Sequence, residues 1–254
     1  MKGLKYFAIA VIFGLAVFAV AGCQSASINN NTLSNVDAQS YSQTGINLTQ
    51  DITGSILDWA GSGEVTGLSA SSVAEGNYLS SATVSDEADG WHHLTAATAE
   101  SGGSAVADLH IKLDKVSGEV VGVWVYGTFS LTLNYTKGTT VHTLTFGNGI
   151  GDAYHATIAR SGSTITGVGI TGVIHYNIAI TTATVSHTIS MDFNFTDFSA
   201  TIASGDDYPT GTITITNVIR NGAAQPDMTM TFNGTNTVTL TFGDYTGTFT
   251  IKPI

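Results

Sequence analysis

Residues 119–146 read EVVGVWVYGTFSLTLNYTKGTTVHTLTF, and the period of this stretch decides the fold. Val121, Val123, Val125, Phe129, Leu131, Leu133 and Tyr135 hold one parity, while Thr128, Ser130, Thr132 and Asn134 hold the other. Alternate side chains of an extended strand project to opposite faces, so the pattern predicts a strand with one buried and one solvated face. Lys137-Gly138 then turns the chain. A two-residue turn there pairs Leu131 with Leu144 and Phe129 with Phe146, and also Thr132 with Thr143 and Ser130 with Thr145. Apolar meets apolar and polar meets polar, which specifies the register on both faces.

The same reasoning works outward from this hairpin. Gly243-Asp244 fits a type II′ turn, which pairs Val238 with Phe249 and Phe242 with Tyr245, and sets Thr237, Thr239 and Thr241 against Thr250, Thr248 and Thr246. In the long pair 164–180 and 184–197, face matching sets Ile180 against Val185, Tyr176 against Ile189, Ile174 against Met191 and Gly172 against Phe193. Strands are predicted at 91–98, 106–114, 119–136, 139–146, 152–159, 163–180, 184–197, 211–219, 227–233, 236–242 and 244–251. Short loops make successive strands antiparallel neighbours. No long helical period is present to cover the apolar face. The expected fold is therefore all-β: an antiparallel up-and-down meander of about 10–11 strands curled into an open barrel-like sheet, with a β-sandwich as the alternative.

Composition limits the partners. The 254 residues carry 8 basic and 19 acidic side chains, a net charge of −11; loss of Lys2 and Lys5 with an export signal takes this to −13. Phosphate binding needs clustered Lys and Arg, so nucleic acid is excluded as a partner. Only 11% of residues are charged and 43% are hydrophobic, which suits one folded domain and not a disordered chain.

Lys2 and Lys5 begin a targeting segment whose apolar run, Tyr6 to Ala21, is short for a spanning helix and suits a signal-peptide core. It ends in Val20-Ala21-Gly22-Cys23, where small residues precede the single cysteine of the chain. This segment resembles the lipobox of bacterial lipoproteins. The resemblance implies a signal peptide over 1–22 and a lipidated Cys23, carrying diacylglyceryl and palmitate-type acyl chains, as the first mature residue. Gln24 in place of Asp implies outer-membrane sorting in the cell envelope, as in lipoproteins of enteric type. One cysteine excludes an intrachain disulfide and any CxxC site. Residues 23–50, rich in Ser, Asn, Gln and Thr, read as a flexible tether, and 51–254 as a single β domain in which 51–90 is ambiguous between a helical turn around Ile52, Ile56, Leu57 and Trp59 and a strand.

Candidate sites are few. Trp124 and Tyr126 break the small polar pattern of their face, two residues apart and so side by side; two such rings can stack on a sugar or seat a partner protein, or be covered by another segment. By parity His142 and His187 point inward, while His110, His155 and His175 point out. Buried histidines are expected to be satisfied by hydrogen bonds. A tight Asn148-Gly149 turn would set His142 against His155 as a metal pair, whereas face matching separates them. His92 and His93 point to opposite faces and cannot chelate together. Ser85-Asp86-Glu87-Ala88-Asp89-Gly90 lacks the closing Glu of a calcium loop and reads as a solvated acidic turn. Thr212, Thr214, Thr216, Thr229, Thr231 and the threonines of the last hairpin share one face, where β-branched residues suit a solvated sheet.

No GxSxG, HExxH or phosphate loop is present, so no catalytic residue, metal or cofactor is assigned and the chain is read as a non-enzyme. The expected function is a membrane-anchored envelope lipoprotein whose β domain binds or scaffolds a glycan or protein partner. The alternative is a carrier of a lipid or other apolar ligand, with a cavity among Val123, Leu131, Met191 and Phe193. A membrane-spanning barrel fits less well, since strands of about 17 residues overshoot the usual 9–11.

Overall fold

The structure, a computed structural model, describes residues 32–43, 45–46, 81–100, 103–135, 140–181, 186–202 and 207–253. A helix, α1, covers 35–43, with helical backbone again at 45–46. Thirteen strands follow: β1 (Ser81–Asp86), β2 (Trp91–Glu100), β3 (Gly103–Val116), β4 (Glu119–Tyr135), β5 (Thr140–Asn148), β6 (Tyr154–Ser161), β7 (Thr164–Thr181), β8 (Ser186–Thr201), β9 (Thr210–Arg220), β10 (Ala223–Ala224), β11 (Met228–Asn233), β12 (Thr237–Phe242) and β13 (Tyr245–Thr250). They form one antiparallel sheet in the order β1-β2-β3-β4-β5-β7-β8-β9-β11-β12-β13, with β6 between β4 and β7 and β10 beside β9. This is the expected curled all-β meander. The sandwich alternative would need two sheets, and the inward residues from Leu94 on β2 to Phe249 on β13 instead belong to one contiguous core. Among the described residues no helix is long and apolar enough to cross a membrane.

Alternation builds each strand. On β8 Ile189, Met191, Phe193 and Phe195 are buried while Ser190, Asp192 and Asn194 are less so. The β4–β5 pair has the expected register, Phe129 opposite Phe146 and Leu131 opposite Leu144, and so does β12–β13, where Gly243 takes φ +54 as a type II′ turn requires. A bulge opposite Asp114/Lys115 buries Val120 in place of Val121. The β7–β8 register differs from expectation by two residues: Ile180 faces His187, Tyr176 faces Met191, Ile174 faces Phe193 and Gly172 faces Phe195. A slip of two preserves every face, and no Gly or Asn lies between Thr181 and Ser186 to set the loop length.

Glycines let neighbouring backbones approach closely at several points, among them Gly211 on β9 with φ of +113. Gly127 on β4 and Gly172 on β7 have φ of +122 and +105, and a Cβ on either would overlap a neighbouring backbone carbonyl, Asp108 O on β3 and Ala153 O just before β6 respectively. Backbones therefore approach where no side chain fits, and the sheet bends there.

β5 and β6 do not form the antiparallel pair that their short connection suggested. Both run antiparallel to β4 and to β7, end to end, and a 3₁₀ turn at Ile150–Asp152 separates them. Gly127 faces Asn148 and Val125 faces Tyr154, so one residue of β4 spans five on the other side. The Asn148 amide donates to Val125 O at 3.4 Å, Asp152 O at 3.2 Å and Val173 O at 3.1 Å, tying the break to both neighbouring strands.

The described part of the expected 23–50 tether is instead a packed element. Ser34 caps α1, its Oγ accepting from Asp37 N–H at 3.1 Å. Leu33, Asp37, Ala38, Tyr41, Ser42 and Ile46 are buried with the helical period. Polar Asp37 and Ser42 inside that stripe disguise it in the sequence. Asp37 is satisfied by Arg220 at the end of β9, Nη1 to Oδ2 at 2.7 Å, with both side chains almost wholly buried. Gln39 and Gln43, on the same side one turn apart, donate to Thr248 O and Thr250 O of the edge strand β13 at 3.3 and 3.2 Å. A helical i, i+4 step of about 6 Å matches two strand residues at about 6.8 Å, so the helix caps the open edge.

Asp37→Ala leaves the buried guanidinium of Arg220 without that carboxylate and should cost about 3–5 kcal/mol in denaturant unfolding, while Asp37→Leu combined with Arg220→Met should cost much less. Asn148→Ala, by the loss of the clasp, should cost about 1–3 kcal/mol in the same assay.

Candidate functional site on the outer face of the sheet

Strand pairing assembles two rows of side chains on the outer face. One runs Trp91, Lys112, Trp124, His155 across β2, β3, β4 and β6; the next runs His93, His110, Tyr126 across β2, β3 and β4. Their alternate neighbours Leu94, Leu109, Ile111 and Val123 are buried, which fixes these residues outward. Trp124 and Tyr126 thus face out, side by side, as their parity implied. They are not bare rings. Trp124 stacks on His155 at 3.6 Å, and its Nε1 donates to Asp114 Oδ2 at 2.7 Å. Tyr126 stacks on His110 at 4.4 Å, and the Trp91 ring meets it edge-on at 4.8 Å. Lys112 Nζ lies 5.9 Å from the Trp91 ring centroid, within cation–π range.

Carboxylates thread this strip. His93 Nε2 donates to Asp108 Oδ1 at 2.6 Å and His110 Nδ1 to Glu87 Oε2 at 2.7 Å. Farther round the sheet His175 Nδ1 donates to Asp192 Oδ1 at 2.7 Å, while Asn217 donates to the other oxygen of the same carboxylate at 2.6 Å. The acidic turn after β1 is therefore engaged with histidines and not merely solvated: Glu87 reaches His110, and Asp86 reaches His92 at 2.8 Å. His92 and His93 point to opposite faces, as expected, and each has its own acid.

His155 Nε2 lies 3.3 Å from Asp114 Oδ2, but off the line of a hydrogen bond to an oxygen already taken by Trp124. Burial lowers the His155 pKa below the usual imidazole value, and the Asp114 charge opposes that shift in part. Tyr126 is shifted upward by burial and by the nearby Glu87 charge, which keeps the phenol neutral.

The postulated His142–His155 metal pair does not form. His142 pairs with Leu133 and Ile180, His155 with Trp124 and Thr171, and the two strands lie end to end. The His142 side chain, like that of Leu131 and like Cys23, Ile52, Ile56, Leu57, Trp59 and Val185, lies outside the described residues. His187 has the expected inward parity, but only Nδ1 has a partner, Asn221 Nδ2 at 3.3 Å; its buried Nε2 has none among the described residues. Glu87, His93 and His110 escaped the sequence reading because they meet only across strands, and Ser101-Gly102-Gly103 fits several loop lengths between β2 and β3.

Comparisons with protein-family models, with characterised proteins and with solved structures give no match.

An unfolded imidazole takes its proton near pH 6.5, so with the folded value depressed, acidification below about 6.5 favours the unfolded chain until the folded value is passed. In an NMR titration the ring protons of His155 should move with a midpoint below about 6.5, and Asp114→Asn should push it lower still by removing the opposing charge. A midpoint at or above 6.5 would contradict the burial described.

Proposed function

We propose that the chain is an exported lipoprotein, anchored in the cell envelope through acylated Cys23, whose non-catalytic β domain binds a glycan or protein partner on its outer face. The anchor is supported by Lys2, Lys5, the apolar run 6–21 and the small residues before Cys23, and outer-membrane placement by Gln24. The binding reading is carried by one observation. Trp91, Trp124 and Tyr126, with their imidazole and carboxylate neighbours, are concentrated on a face that needs none of them for the core, whereas the outer face of β9 and β11–β13 is built of small threonines. A half-buried ring fixed by stacking loses little entropy when a sugar ring or an apolar side chain covers its free edge.

The carrier alternative has less support. Val123, Met191 and Phe193 are packed in the core cluster, and a Cβ on Gly45 would overlap the Phe193 ring, so the helical backbone at 45–46 sits directly on the interior that a ligand would occupy.

Two measurements test the reading. Labelled palmitate should enter the wild-type chain and fail to enter Cys23→Ala, which should also leave the membrane fraction; continued labelling would remove the anchor. On a glycan array or immobilised envelope proteins, the full chain in detergent should show binding that drops about tenfold or more in Trp124→Ala. Equal binding by the variant would remove the outer strip as the contact.

A further inference from the structure

We propose that Glu87, His93 and His110 form a site for a divalent transition-metal ion of the zinc class, with Asp108 positioning His93 from behind. One ligand atom from each of the three lies within 4.8 Å of the others. They come from three separate pieces of chain whose placement the fold dictates. His93 and His110 face each other across β2 and β3, with rings parallel at 4.4 Å. Glu87 precedes a 3₁₀ turn in which Asp89 takes φ +59, and its backbone N–H donates to Trp91 O at 2.8 Å, folding the carboxylate back over the pair.

Two imidazoles and one carboxylate are a donor set suited to zinc and its neighbours in the first transition row. The surroundings orient these donors. Asp108 holds the Nε2–H of His93, which leaves the lone pair on Nδ1, the atom 3.9 Å from Glu87 Oε1. A carboxylate behind a ligating histidine is the usual means of fixing its tautomer and raising its basicity. His110 is held between His93 on one side and the Tyr126 ring on the other, both parallel to it at 4.4 Å. Its Nδ1 and Glu87 Oε2, 2.7 Å apart, share the proton that an ion would displace. Metal–nitrogen bonds of about 2.0–2.1 Å set such donors about 3.3 Å apart, so the donor atoms, which lie within 4.8 Å of one another here, have to draw together when an ion binds. All three side chains keep 20–32% of their surface exposed, so a fourth position stays open to water or to a donor from another molecule.

The site goes beyond the proposed function and does not depend on the lipid anchor or on Trp124. Full chain in mild detergent, stripped with a chelator and titrated with zinc chloride alone, should bind one equivalent in calorimetry. His93→Ala and His110→Ala should each weaken binding by about 100-fold or more, and Asp108→Asn by about 10–100-fold at unchanged stoichiometry. His92→Ala, on the opposite face, should bind as wild type. Cobalt(II) should give visible d–d absorption that His110→Ala abolishes. If the alanine variant fails to fold, as read by circular dichroism, His110→Phe keeps a ring against Tyr126 and carries the same test. Absence of a one-equivalent zinc isotherm, or an isotherm unchanged in the His93 and His110 variants, would overturn the site. Trp124→Ala should retain zinc while it loses partner binding, so failure of one reading is separable from failure of the other.

Discussion

The inward face of the sheet, from Leu94 on β2 to Phe249 on β13, has to be buried against itself, because among the described residues only α1 is available to cover it. A flat sheet of this length would leave most of that apolar face in water, at a cost of roughly 25 cal/mol for every Å². Curling solves the problem, and the bends at Gly127 and Gly172 permit it. The helix then closes what curling leaves open. Its Ser42 meets Met228, its Asp37 holds Arg220, its two glutamines occupy carbonyls of the edge strand, and Gly45 just beyond it packs on Phe193. An uncovered edge would be a template for pairing with another chain.

Curling also divides the labour between the two faces. Among the described residues the inward face is mostly committed to packing, and the aromatic and acid–imidazole rows lie outward. There the sheet has two characters. Toward the C-terminus, Thr212, Thr231, Thr239 and Thr248 form one cross-strand row and Thr214, Thr229, Thr241 and Thr246 another, a pattern that β propensity explains by itself. Toward the N-terminus the corresponding rows hold tryptophan, tyrosine, histidine and acid. Both halves pair antiparallel strands with the same alternation, so the difference in outward chemistry lies in residue choice.

How much of this was legible depended on whether neighbours in the sequence were also neighbours in space. Strand positions from 91 onward, and the registers through Phe129–Phe146 and Val238–Phe249, followed from alternation together with a recognisable turn. Where the turn chemistry was weak, faces were right and register was not, as in the two-residue slip at Ile174 and Phe193. β1, α1 and the two-residue β10 were missed for different reasons. β1 is six residues long and sits beside an ambiguous segment, while α1 hides Asp37 and Ser42 on its buried side; the Ser34-x-x-Asp37 capping pattern was the signal that could have found it. The outward direction of Trp124, Tyr126, His110 and His155 was readable from parity. Their stacking partners were not, because each contact crosses from one strand to the next.

Stability does not account for the imidazole–carboxylate pairs. Five of the six histidines whose side chains are described, His92, His93, His110, His155 and His175, have a carboxylate oxygen within 4.0 Å, and most of these pairs are partly exposed. Ion pairs in such positions contribute about 0–1 kcal/mol and are weakened by salt, far less than the buried Asp37–Arg220 contact commits. Threonine at the same sites, as in the other half of the sheet, would serve the strands equally well. His110 makes the point most sharply: it is held between two parallel rings with Glu87 on its Nδ1, an arrangement that restricts a side chain which gains little for the fold by being restricted. Ordering of that kind is useful when a further group has to be met in a fixed geometry, whether an ion between the imidazoles or a partner laid along the rings beside them.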